Sequence, residues 1–573
     1  MSVLNIPIGI SDFEKIRKND YYFIDKSGMI AELLRNAAPE VTLITRPRRF
    51  GKTLGMSMLA SFFDIRKDSR ELFRGLRVSE DEALCAAWMN QYPTLFLTFK
   101  DVDGNEFVTA KDMLRDQIAG LFQEHAYLAE SGKVNEYDKK RFFALSDVID
   151  GKASDMLLKT SIALLMRMMQ AYYGKPVILL LDEYDVPLAK ASTHGYYDQM
   201  LEIMRMMMST ALKDNHNLKF AIITGCLRIS KESIFTGMNN LVSDSILKSR
   251  LSEYFGFTQR EVDRILQDAG LQQEAERVKA WYDGYHFGKY DIYCPWDVLN
   301  YVYDLQGETG IREPVSYWKN TSDNAVIRAF IDHKEKQIKT KLEVLMNGGY
   351  IIQKIEENLT YDFDTCSDEN FWSVLYLTGY LTSCNPDKLL PEDRERVKGN
   401  VMALMIPNAE IREIYQDTVL KWFEESAHVW KTQNLCEAVW QGDSETVSRE
   451  MTRLLQKTIS YHDYHEDYYH AFLAGIFTGA GYEVKSNREH GNGRSDVVIL
   501  DSDNNRLAIF EAKYTADKSM LADKCEEAIR QIEDRRYAVE FEESGSRVFC
   551  YGIAFYKKEC LIRLLREADA DGN

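Results

Sequence analysis

The sequence predicts an α/β protein of several domains, with alternating helices and apolar strands in both its first and its last part. In the first part, Val41–Thr45, Val177–Leu181 and Phe220–Gly225 are short apolar runs, and the segments between them have largely helical spacing. In the last part, a helix, a hairpin of two apolar strands, another helix and the strand Val548–Phe555 follow one another. Strands that alternate with helices indicate sheets that helices cover.

Length and composition support several packed domains. At 573 residues the chain is long enough for roughly three or four domains of ordinary size. Apolar residues make up 45% of the chain and aromatic residues 12%, which is enough for packed cores. The N-terminus lacks a basic-then-apolar signal, and no apolar run approaches the ~20 residues of a membrane span. We therefore expect a soluble, cytoplasmic protein with no membrane partner.

Charge and cysteine content exclude further classes. The net charge of −18 argues against a general polyanion binder, so a nucleic acid would have to meet a local basic surface. The nine cysteines form no CxxC pair, which predicts reduced thiols and argues against a zinc site.

The first apolar strand leads into a candidate phosphate-binding loop. Val41–Thr45 is followed by Arg46–Thr53 and then by a segment with helical spacing. In such a loop, backbone N–H groups and the helix N-terminus face the anion. Lys52 would then reach the β- and γ-phosphates, and the Thr53 hydroxyl would ligate magnesium. Arg46 stands where the general motif has its first glycine, so an ordinary helix start remains the alternative.

A second strand end strengthens the nucleotide interpretation. Val177–Leu181 is followed directly by Asp182 and Glu183. Many ATPases have a magnesium-coordinating aspartate and a water-activating glutamate at such a strand end. Each element alone can be a plain helix start or strand end. Because both occur, in this order and on neighbouring predicted strands, they favour nucleotide binding.

Near the C-terminus, a hairpin gathers three charged residues. Asp496 opens one strand, Asp501–Asn505 form a polar turn, and Glu511 and Lys513 close the next strand. Antiparallel pairing brings Asp496 and Glu511 to the same end, and strand alternation puts Glu511 and Lys513 on one face. Two carboxylates and an ammonium suit a divalent metal and an activated water beside a phosphodiester. The alternative is a surface Glu-x-Lys ion pair, which contributes less than about 1 kcal/mol.

At this point the chain resembles a known family, the bacterial AAA-ATPase-like proteins joined to a C-terminal PD-(D/E)xK nuclease domain. The strongest matches are Arg46–Thr53, Leu180–Asp185 and Thr224–Ser230. Further matches are Pro7–Ile10, Phe23–Lys26 and Trp281–Tyr285, so the resemblance covers nearly the whole chain.

The resemblance implies an ASCE-type P-loop core that binds ATP and Mg²⁺. Gly51, Lys52 and Thr53 would hold the phosphates and the ion, Asp182 would lie beside the ion, and Glu183 would be the catalytic base. Thr224 would be a polar sensor of the γ-phosphate. Arg228 would stabilise charge, with a structural ion pair as the alternative. The arginines of the loop, at positions 46, 48 and 49, are left with three alternatives: the nucleotide, a neighbouring subunit or local carboxylates.

For the C-terminal domain, the resemblance implies a site for Mg²⁺ or Mn²⁺. Asp496 and Glu511 would bind the metal, the Ala512 carbonyl would be a third ligand, and Lys513 would orient or deprotonate the attacking water. Two helical residues extend this site. Glu466, on the preceding helix, would complete the metal ligands, and Gln531, on the following helix, would approach the active site.

Four domains are predicted. Residues 1–260 form the AAA-like P-loop ATPase domain, and residues 261–430 form a mainly helical middle region, either a lid or a winged-helix-like module. Residues 431–455 form a helical connector, and residues 456–573 form the restriction-endonuclease-like α/β domain. Within the middle region, the aromatic turn Trp281–Phe287 predicts a core corner more readily than a base-stacking platform.

The sequence therefore predicts a protein that binds and hydrolyses ATP and thereby controls a metal-dependent nuclease acting on nucleic acid, with DNA preferred. One alternative is a nucleotide-dependent switch or assembly protein whose C-terminal domain binds nucleic acid or a partner without cleaving. Another is a nuclease whose ATPase domain binds nucleotide and hardly turns it over. A homo-oligomer is compatible with each of them.

Overall fold

The computed structural model describes most of the chain and divides it into two compact units. One unit comprises Met1–Asn320 and Ile352–Ala409, and the other comprises Thr321–Ile351 and Glu410–Asn573. The predicted bounds of the four domains stay predictions. The residues that the structure describes are 3–35, 39–146, 154–229, 234–235, 240–307, 313–318, 341–342, 344–359, 361, 368–418, 433–457, 466–490, 493–535 and 547–568.

A five-stranded sheet forms the centre of the first unit, with the strand order β2-β3-β4-β1-β5 and parallel pairing throughout. Since β4 lies between β1 and β3, the carboxyl ends of these three strands meet at one edge. The three strands predicted for this domain are confirmed, whereas β2 and β5 were missed. The strands are β1 Val41–Thr45, β2 Thr94–Thr98, β3 Val177–Asp182, β4 Leu218–Gly225 and β5 Leu241–Asp244.

Helices occupy most of the described chain between these strands, as the spacing of the sequence predicts. The helices up to residue 212 are α1 Phe13–Lys18, α2 Gly28–Leu34, α3 Lys52–Phe63, α4 Arg70–Phe73, α5 Glu82–Trp88, α6 Phe107–Glu124, α7 Tyr127–Glu130, α8 Glu136–Ser146, α9 Asp155–Lys159, α10 Ser161–Tyr173, α11 Val186–Thr193 and α12 Tyr197–Leu212.

The helix α3 packs on the sheet because its apolar residues face the strands. Met56, Leu59 and Phe63 are fully buried or nearly so and belong to one core cluster with Ile44 of β1 and Ile178 of β3. Every residue of β3 is buried. This burial explains why the strand is apolar from end to end and lacks the alternation of a half-exposed strand.

The chain beyond residue 258 adds short helices and two small sheets. The strands β6 and β7 form a hairpin, and β8, β10 and β9 form a three-stranded sheet in that order. The described elements here are α13 Gln259–Ala269, α14 Ala275–Tyr282, β6 Tyr285–Phe287, β7 Tyr290–Ile292, α15 Pro295–Gln306, β8 Ile351–Lys354, α16 Asp368–Leu377, β9 Thr382–Ser383, α17 Pro391–Arg394 and β10 Val401–Met405.

The aromatic turn of this region is a core corner, as predicted. Tyr282, Tyr285 and Phe287 are almost completely buried. Phe50, from the loop between β1 and α3, lies against two of these rings, with centroid distances of 5.0 Å to Tyr285 and 5.1 Å to Phe287. The corner therefore packs against the loop through its buried rings, and of the four aromatic residues in the turn only Trp281 is partly exposed.

The second unit contains a five-stranded sheet in sequential order, β11 to β15, in which β13 and β14 are parallel and the other pairs are antiparallel. Its strands are β11 Glu483–His490, β12 Gly493–Asp501, β13 Arg506–Tyr514, β14 Arg547–Tyr556 and β15 Glu559–Ala568. Its helices are α18 Gln433–Gln441, α19 Ser444–Lys457, α20 Glu466–Gly479 and α21 Leu521–Arg535.

Two features of this unit follow from its sequence. The predicted hairpin between β12 and β13 is confirmed, with Asn505 in the left-handed region at the turn (φ 47°). The helix α19 is attached to the outer strand β15, because the amides of Ile562 and Leu564 donate to the hydroxyls of Ser448 and Ser444 at 2.9 Å.

Among the residues that the structure describes, no helix is long and apolar enough to cross a membrane. The eight described cysteines are free thiols, which agrees with the predicted reduced state.

A glycine in β14 allows α21 to lie close to the sheet. A Cβ atom built on Gly552 would lie 2.6 Å from Ile529 Cγ1 and 2.9 Å from the Cys525 carbonyl oxygen, both on α21. Gly552 pairs with Glu511 on the neighbouring strand. The close approach of helix and strand therefore occurs where the candidate nuclease residues lie.

We expect Gly552→Ala to destabilise the sheet of the second unit by about 1–3 kcal/mol, because the new methyl group overpacks the contact with α21. Amide hydrogen exchange of β13 and β14 measures this loss. Gly120→Ala is the matched control, since nothing lies within 4 Å of a Cβ there and Gly120 is within α6. The control should be neutral or stabilising by about 0.5–1 kcal/mol. Unchanged exchange in Gly552→Ala would contradict the close packing.

Candidate functional site

The loop between β1 and α3 turns sharply so that the N-terminus of α3 faces the loop interior. Gly51, the residue before the helix, has φ 83°, and Arg49 has φ 71°. The left-handed backbone at Gly51 costs little because glycine has no Cβ. The exposed N–H groups of the first helical turn make such a terminus suited to an anion.

Lys52 is buried inside this loop. Its Nζ donates to the Arg46 carbonyl oxygen at 2.9 Å and to the Pro47 carbonyl oxygen at 2.8 Å, and it lies 3.8 Å from the Cys226 sulfur. Only 4% of the residue is exposed. The ammonium group thus holds the two ends of the loop together and is positioned next to the helix N-terminus.

Arg46 has a structural partner, which decides one of the open alternatives. Its guanidinium is fully buried and donates to the carboxylate of Asp244 at 2.7 Å and to the carbonyl oxygens of Asp244 and Thr45 at 2.8 Å. The ring of Phe255 lies 5.3 Å from its Cζ. Burial lowers the pKa of Arg46 and Asp244 opposes this effect. Arg46 therefore contacts a local carboxylate and anchors the loop to the end of β5.

The other two arginines of the loop differ from Arg46. The guanidinium of Arg49 stacks on Trp296, with Cζ 4.2 Å from the ring centroid. Arg48 is only partly exposed and lies near Cys226, Asp185 and Tyr361. Burial lowers the pKa of Arg48, but these neighbours outweigh burial and raise it.

The two acids at the end of β3 have different environments. Asp182 is completely buried, and its Oδ1 accepts the hydroxyl hydrogen of Thr224. Its Oδ2 has no hydrogen-bond partner among the described residues. Glu183 has φ 54°, an unusual conformation for a residue with a Cβ, and its amide points to the Thr224 hydroxyl at 3.4 Å. Burial raises the pKa of Glu183 and the ammonium of Lys52 opposes it.

The structure thus brings together Lys52, Asp182, Glu183 and Thr224 at the carboxyl edge of the sheet. Arg228 lies in the loop after β4, and its Nε is buried without a hydrogen-bond partner within the described part of the chain. Thr53, in the first turn of α3, is partly exposed.

Four residues of this edge were missed by the sequence interpretation. They are Tyr184, Asp185, Cys226 and Tyr361. Cys226 lies beside Lys52 of the phosphate loop, and Asp185 accepts hydrogen bonds from the Cys226 amide and the Tyr361 hydroxyl. Tyr184 donates to the loop that follows β4. For Asp185, a signal was present, since it is the third acid within four residues after a buried strand. Tyr361 lies far along the chain, and nothing in the sequence relates it to β3.

An apolar cavity adjoins the loop at Gly51. The side of α3 that carries Leu54 and Gly55 forms one wall of this cavity. The N-terminal segment that resembled the family motif forms another wall. The remaining lining residues are Pro7, Ile16, Tyr22, Phe23, Ile24, Lys26, Met29, Phe50, Met58, Tyr254, Gly256, Phe257, Pro295 and Leu299.

In the second unit, the strand register agrees with the predicted hairpin site. Val497 of β12 pairs with Phe510 of β13, so Asp496 and Glu511 are the next residues at the same end of the ribbon. Glu511 and Lys513 lie on one face, and Lys513 Nζ is 3.3 Å from Glu511 Oε1. Ala512, between them, is completely buried.

The burial of Glu511 distinguishes this pair from a surface ion pair. Only 1% of the Glu511 side chain and 16% of the Lys513 side chain are exposed. Glu483 and Lys485 have the same Glu-x-Lys spacing on β11 and a similar distance of 3.2 Å, but their side chains are 59% and 29% exposed. Burying a carboxylate is costly. The burial of Glu511 therefore costs free energy, whereas the exposed Glu483 has no such cost.

The rest of the predicted metal site lies outside the described side chains. Asp496 is within β12 and Glu466 is the first residue of α20, and the structure describes the backbone of both but not their side chains. Gln531 is partly exposed on α21. No group of three histidine, cysteine or acidic residues that could hold a metal occurs among the described residues. The metal roles of these residues stay predictions.

The ion pair of Arg46 yields a test of the loop. Replacing this arginine by the glycine of the general motif, Arg46→Gly, should cost about 3–5 kcal/mol, because Asp244 would remain buried without its cation. Arg49→Gly is the matched control and should change stability by less than about 1 kcal/mol, since relief of the left-handed φ offsets the lost cation–π contact. Urea unfolding of the two variants measures the difference. Equal stability of both variants would show that the ion pair does not anchor the loop.

Comparison with known proteins agrees with the motifs. Residues 7–235 match the family model described as predicted AAA-ATPase, and residues 464–564 match the model of the PD-(D/E)XK nuclease superfamily. The chain is also 25% identical over 567 residues to the "Uncharacterized protein in vnfD 5′region" of Azotobacter chroococcum mcd 1, with 97% of each chain covered. The resemblance predicted from the sequence is confirmed. The chain therefore contains one region similar to the predicted AAA-ATPase family and a second region similar to the PD-(D/E)XK nuclease superfamily.

Proposed function

We propose that the first unit binds ATP with Mg²⁺ and hydrolyses it, and that its nucleotide state controls metal-dependent cleavage of DNA by the second unit. The observation that carries the ATPase part is the pair Asp182 and Lys52. A fully buried carboxylate oxygen without a partner among the described residues lies at the same sheet edge as a buried ammonium. Such groups are costly unless ions of opposite charge meet them. A magnesium–triphosphate complex supplies both.

The residues of the first unit fit this ligand. The N–H groups of the first turn of α3 and the Nζ of Lys52 bind phosphate oxygens, and Thr53 and Asp182 hold the ion. Bound Mg²⁺ would neutralise charge on the phosphates. Glu183 orients the attacking water and accepts its proton. Thr224 bonds to Asp182 and lies next to the amide of Glu183, so it holds the two acids in their places.

The cavity beside Gly51 suits the nucleobase of the same ligand. Its walls are mostly apolar, and the polar ends of two lining side chains are used elsewhere. Lys26 Nζ donates to Glu261 and to the Glu253 carbonyl oxygen, and the Tyr22 hydroxyl donates to Asp268. A flat, weakly polar base such as adenine fits such a cavity, as in most small-molecule sites.

For the second unit, the proposal rests on the burial of Glu511 beside Lys513. Asp496, Glu511 and Glu466 hold a divalent cation, which would activate a water and stabilise charge on the phosphodiester. Lys513 orients that water and offsets negative charge that develops during cleavage. Gln531 lies on α21, the helix that packs beside β13 and β14.

A second candidate function is a nucleotide-dependent switch whose C-terminal unit binds nucleic acid or a partner without cleaving. One observation favours it. Only 1% of the Glu511 side chain is exposed, and its partner Lys513 lies at ion-pair distance. A purely structural ion pair would have the same geometry.

The ATPase proposal predicts a separation of binding and hydrolysis. Lys52→Ala should remove ATP binding, because the phosphates lose their buried cation. Glu183→Gln should retain binding and lower the hydrolysis rate by about 10²–10⁴-fold, since the glutamine cannot accept a proton. Calorimetric titration with ATP and Mg²⁺ and a phosphate-release assay measure the two effects. Lys190→Ala is the control, because Lys190 forms a partly exposed pair with Asp103 at 3.2 Å. ATP binding by Lys52→Ala at native affinity would refute the loop assignment.

The nuclease proposal predicts that Glu511→Gln and Lys513→Ala abolish DNA cleavage in Mg²⁺ or Mn²⁺ without loss of structure, and that a chelator does the same to the native protein. Glu483→Gln and Lys485→Ala are matched controls, with the same spacing in the same sheet and exposed side chains. A gel assay on plasmid and linear DNA measures cleavage. If the native protein binds DNA without cutting it in either metal, the switch function replaces the nuclease.

A further inference from the structure

Asp185, two residues after the proposed base, accepts three hydrogen bonds at one oxygen atom. Its Oδ2 lies 2.9 Å from each donor, and the donors are the amides of Cys226 and Leu227 and the hydroxyl of Tyr361. Asp185 is almost completely buried. The acid therefore binds the loop that follows β4 and, in addition, a side chain 176 residues further along the chain.

Tyr184 holds the same loop from its other side. Its hydroxyl donates to the Leu227 carbonyl oxygen at 2.8 Å and accepts from the Ile229 amide at 2.9 Å. Gly225 begins the loop, and a Cβ atom there would lie 2.6 Å from Asp185 Oδ1. The backbone on both sides of Arg228 is thus fixed by the two residues that directly follow Glu183.

The segment that carries Tyr361 is itself attached to this edge of the sheet. The Leu359 amide donates to the Arg228 carbonyl oxygen at 3.1 Å, and Leu359 forms a parallel bridge with Ile229. Glu357 accepts a hydrogen bond at 3.0 Å from Ser245, the residue after Asp244. Glu357, Leu359 and Tyr361 therefore contact the segments that follow β5, β4 and β3, at the edge of the sheet where the nucleotide would bind.

Arg48 connects this arrangement with the phosphate loop. It lies near both Asp185 and Tyr361; burial lowers its pKa, and the carboxylate of Asp185 is among the neighbours that raise it. Burial raises the pKa of Tyr361 well above its ordinary value, so its hydroxyl stays protonated and acts as a donor. A phosphate group bound at Lys52 would compete with Asp185 for the charge of Arg48. The hydrogen bonds of Asp185 meanwhile hold the backbone of the loop that carries Arg228.

We propose that Tyr361 is a positioning residue for ATP hydrolysis, which acts through Asp185 on the loop that carries Arg228 and on Arg48. The proposal rests on the ATPase function proposed above. The hydroxyl of Tyr361 keeps Asp185 bound to the loop that carries Arg228. Lys52 donates to the Arg46 and Pro47 carbonyl oxygens and reaches this network only through the Cys226 sulfur. Nucleotide binding therefore depends far less on the hydroxyl than hydrolysis does.

Tyr361→Phe tests this division, because it removes the hydroxyl and leaves the ring. We expect kcat for ATP to fall about tenfold or more while KM and Kd stay within about twofold, the pattern of an interaction that matters only in the transition state. Tyr376→Phe is the matched control. This residue is also buried in the segment 352–409, and its hydroxyl bonds to Ser383. The control should retain the native kcat, and the thermal unfolding midpoints of the two variants should agree.

A double-mutant cycle with Asp185→Asn adds a measurement that distinguishes positioning through Asp185 from a purely structural role of Tyr361. If Tyr361 acts through Asp185, the double variant should lose no more of kcat than Asp185→Asn alone. A native kcat in Tyr361→Phe would overturn the inference. Fully multiplicative losses of kcat in the cycle would also overturn it, and so would a parallel loss of kcat, ATP affinity and melting temperature in Tyr361→Phe. The proposed function fails separately, through a native protein that does not hydrolyse ATP or through ATP binding that survives Lys52→Ala.

Discussion

The buried ion pair between Arg46 and Asp244 is the interaction on which the candidate nucleotide site depends. It connects the start of the phosphate loop, directly after β1, with the end of the neighbouring strand β5. The loop is therefore held at the ends of both strands. Replacing one partner of such a buried pair is costly, because the other charge then stays buried without its partner. In the general motif, a glycine at this position gives the backbone of the phosphate loop conformational freedom. Here the position is occupied by Arg46, whose side chain extends into the protein interior and holds the backbone in place.

Around this anchor, the polar groups of the sheet edge have separate tasks. Lys52 spans the loop, Thr224 holds Asp182 and the backbone of Glu183, and Asp185 holds the loop after β4. None of these contacts is exposed to bulk water to any large extent, so each is stronger than its surface equivalent. The site is largely preorganised, and the ligand would add charges to an arrangement that already exists.

Residues 352–409 contribute to the same edge in more than one place. Besides the contacts of Glu357, Leu359 and Tyr361, Gly379 approaches the phosphate loop so closely that a Cβ atom there would lie 3.0 Å from Pro47 Cβ. Its φ of 91° is a second reason for glycine at this position. A segment of the predicted middle region therefore touches both the loop and Asp185, within one compact unit.

Much of the fold and part of the candidate sites could be predicted from the sequence by itself. The continuous apolar run of β3, the helical start at Lys52 and the polar turn at Asp501–Asn505 are local patterns, and local backbone preferences and side-chain periodicity determine them. The family resemblance rests on these same short motifs. Tertiary structure alone decided which partners the charged residues have. Arg46 meets Asp244 and Tyr361 meets Asp185 because strand order brings distant segments to one edge, and no local pattern encodes that order. Likewise, Glu511-x-Lys513 and Glu483-x-Lys485 are equivalent as sequence, and only burial beneath the packed elements of the second unit makes one pair costly and the other ordinary.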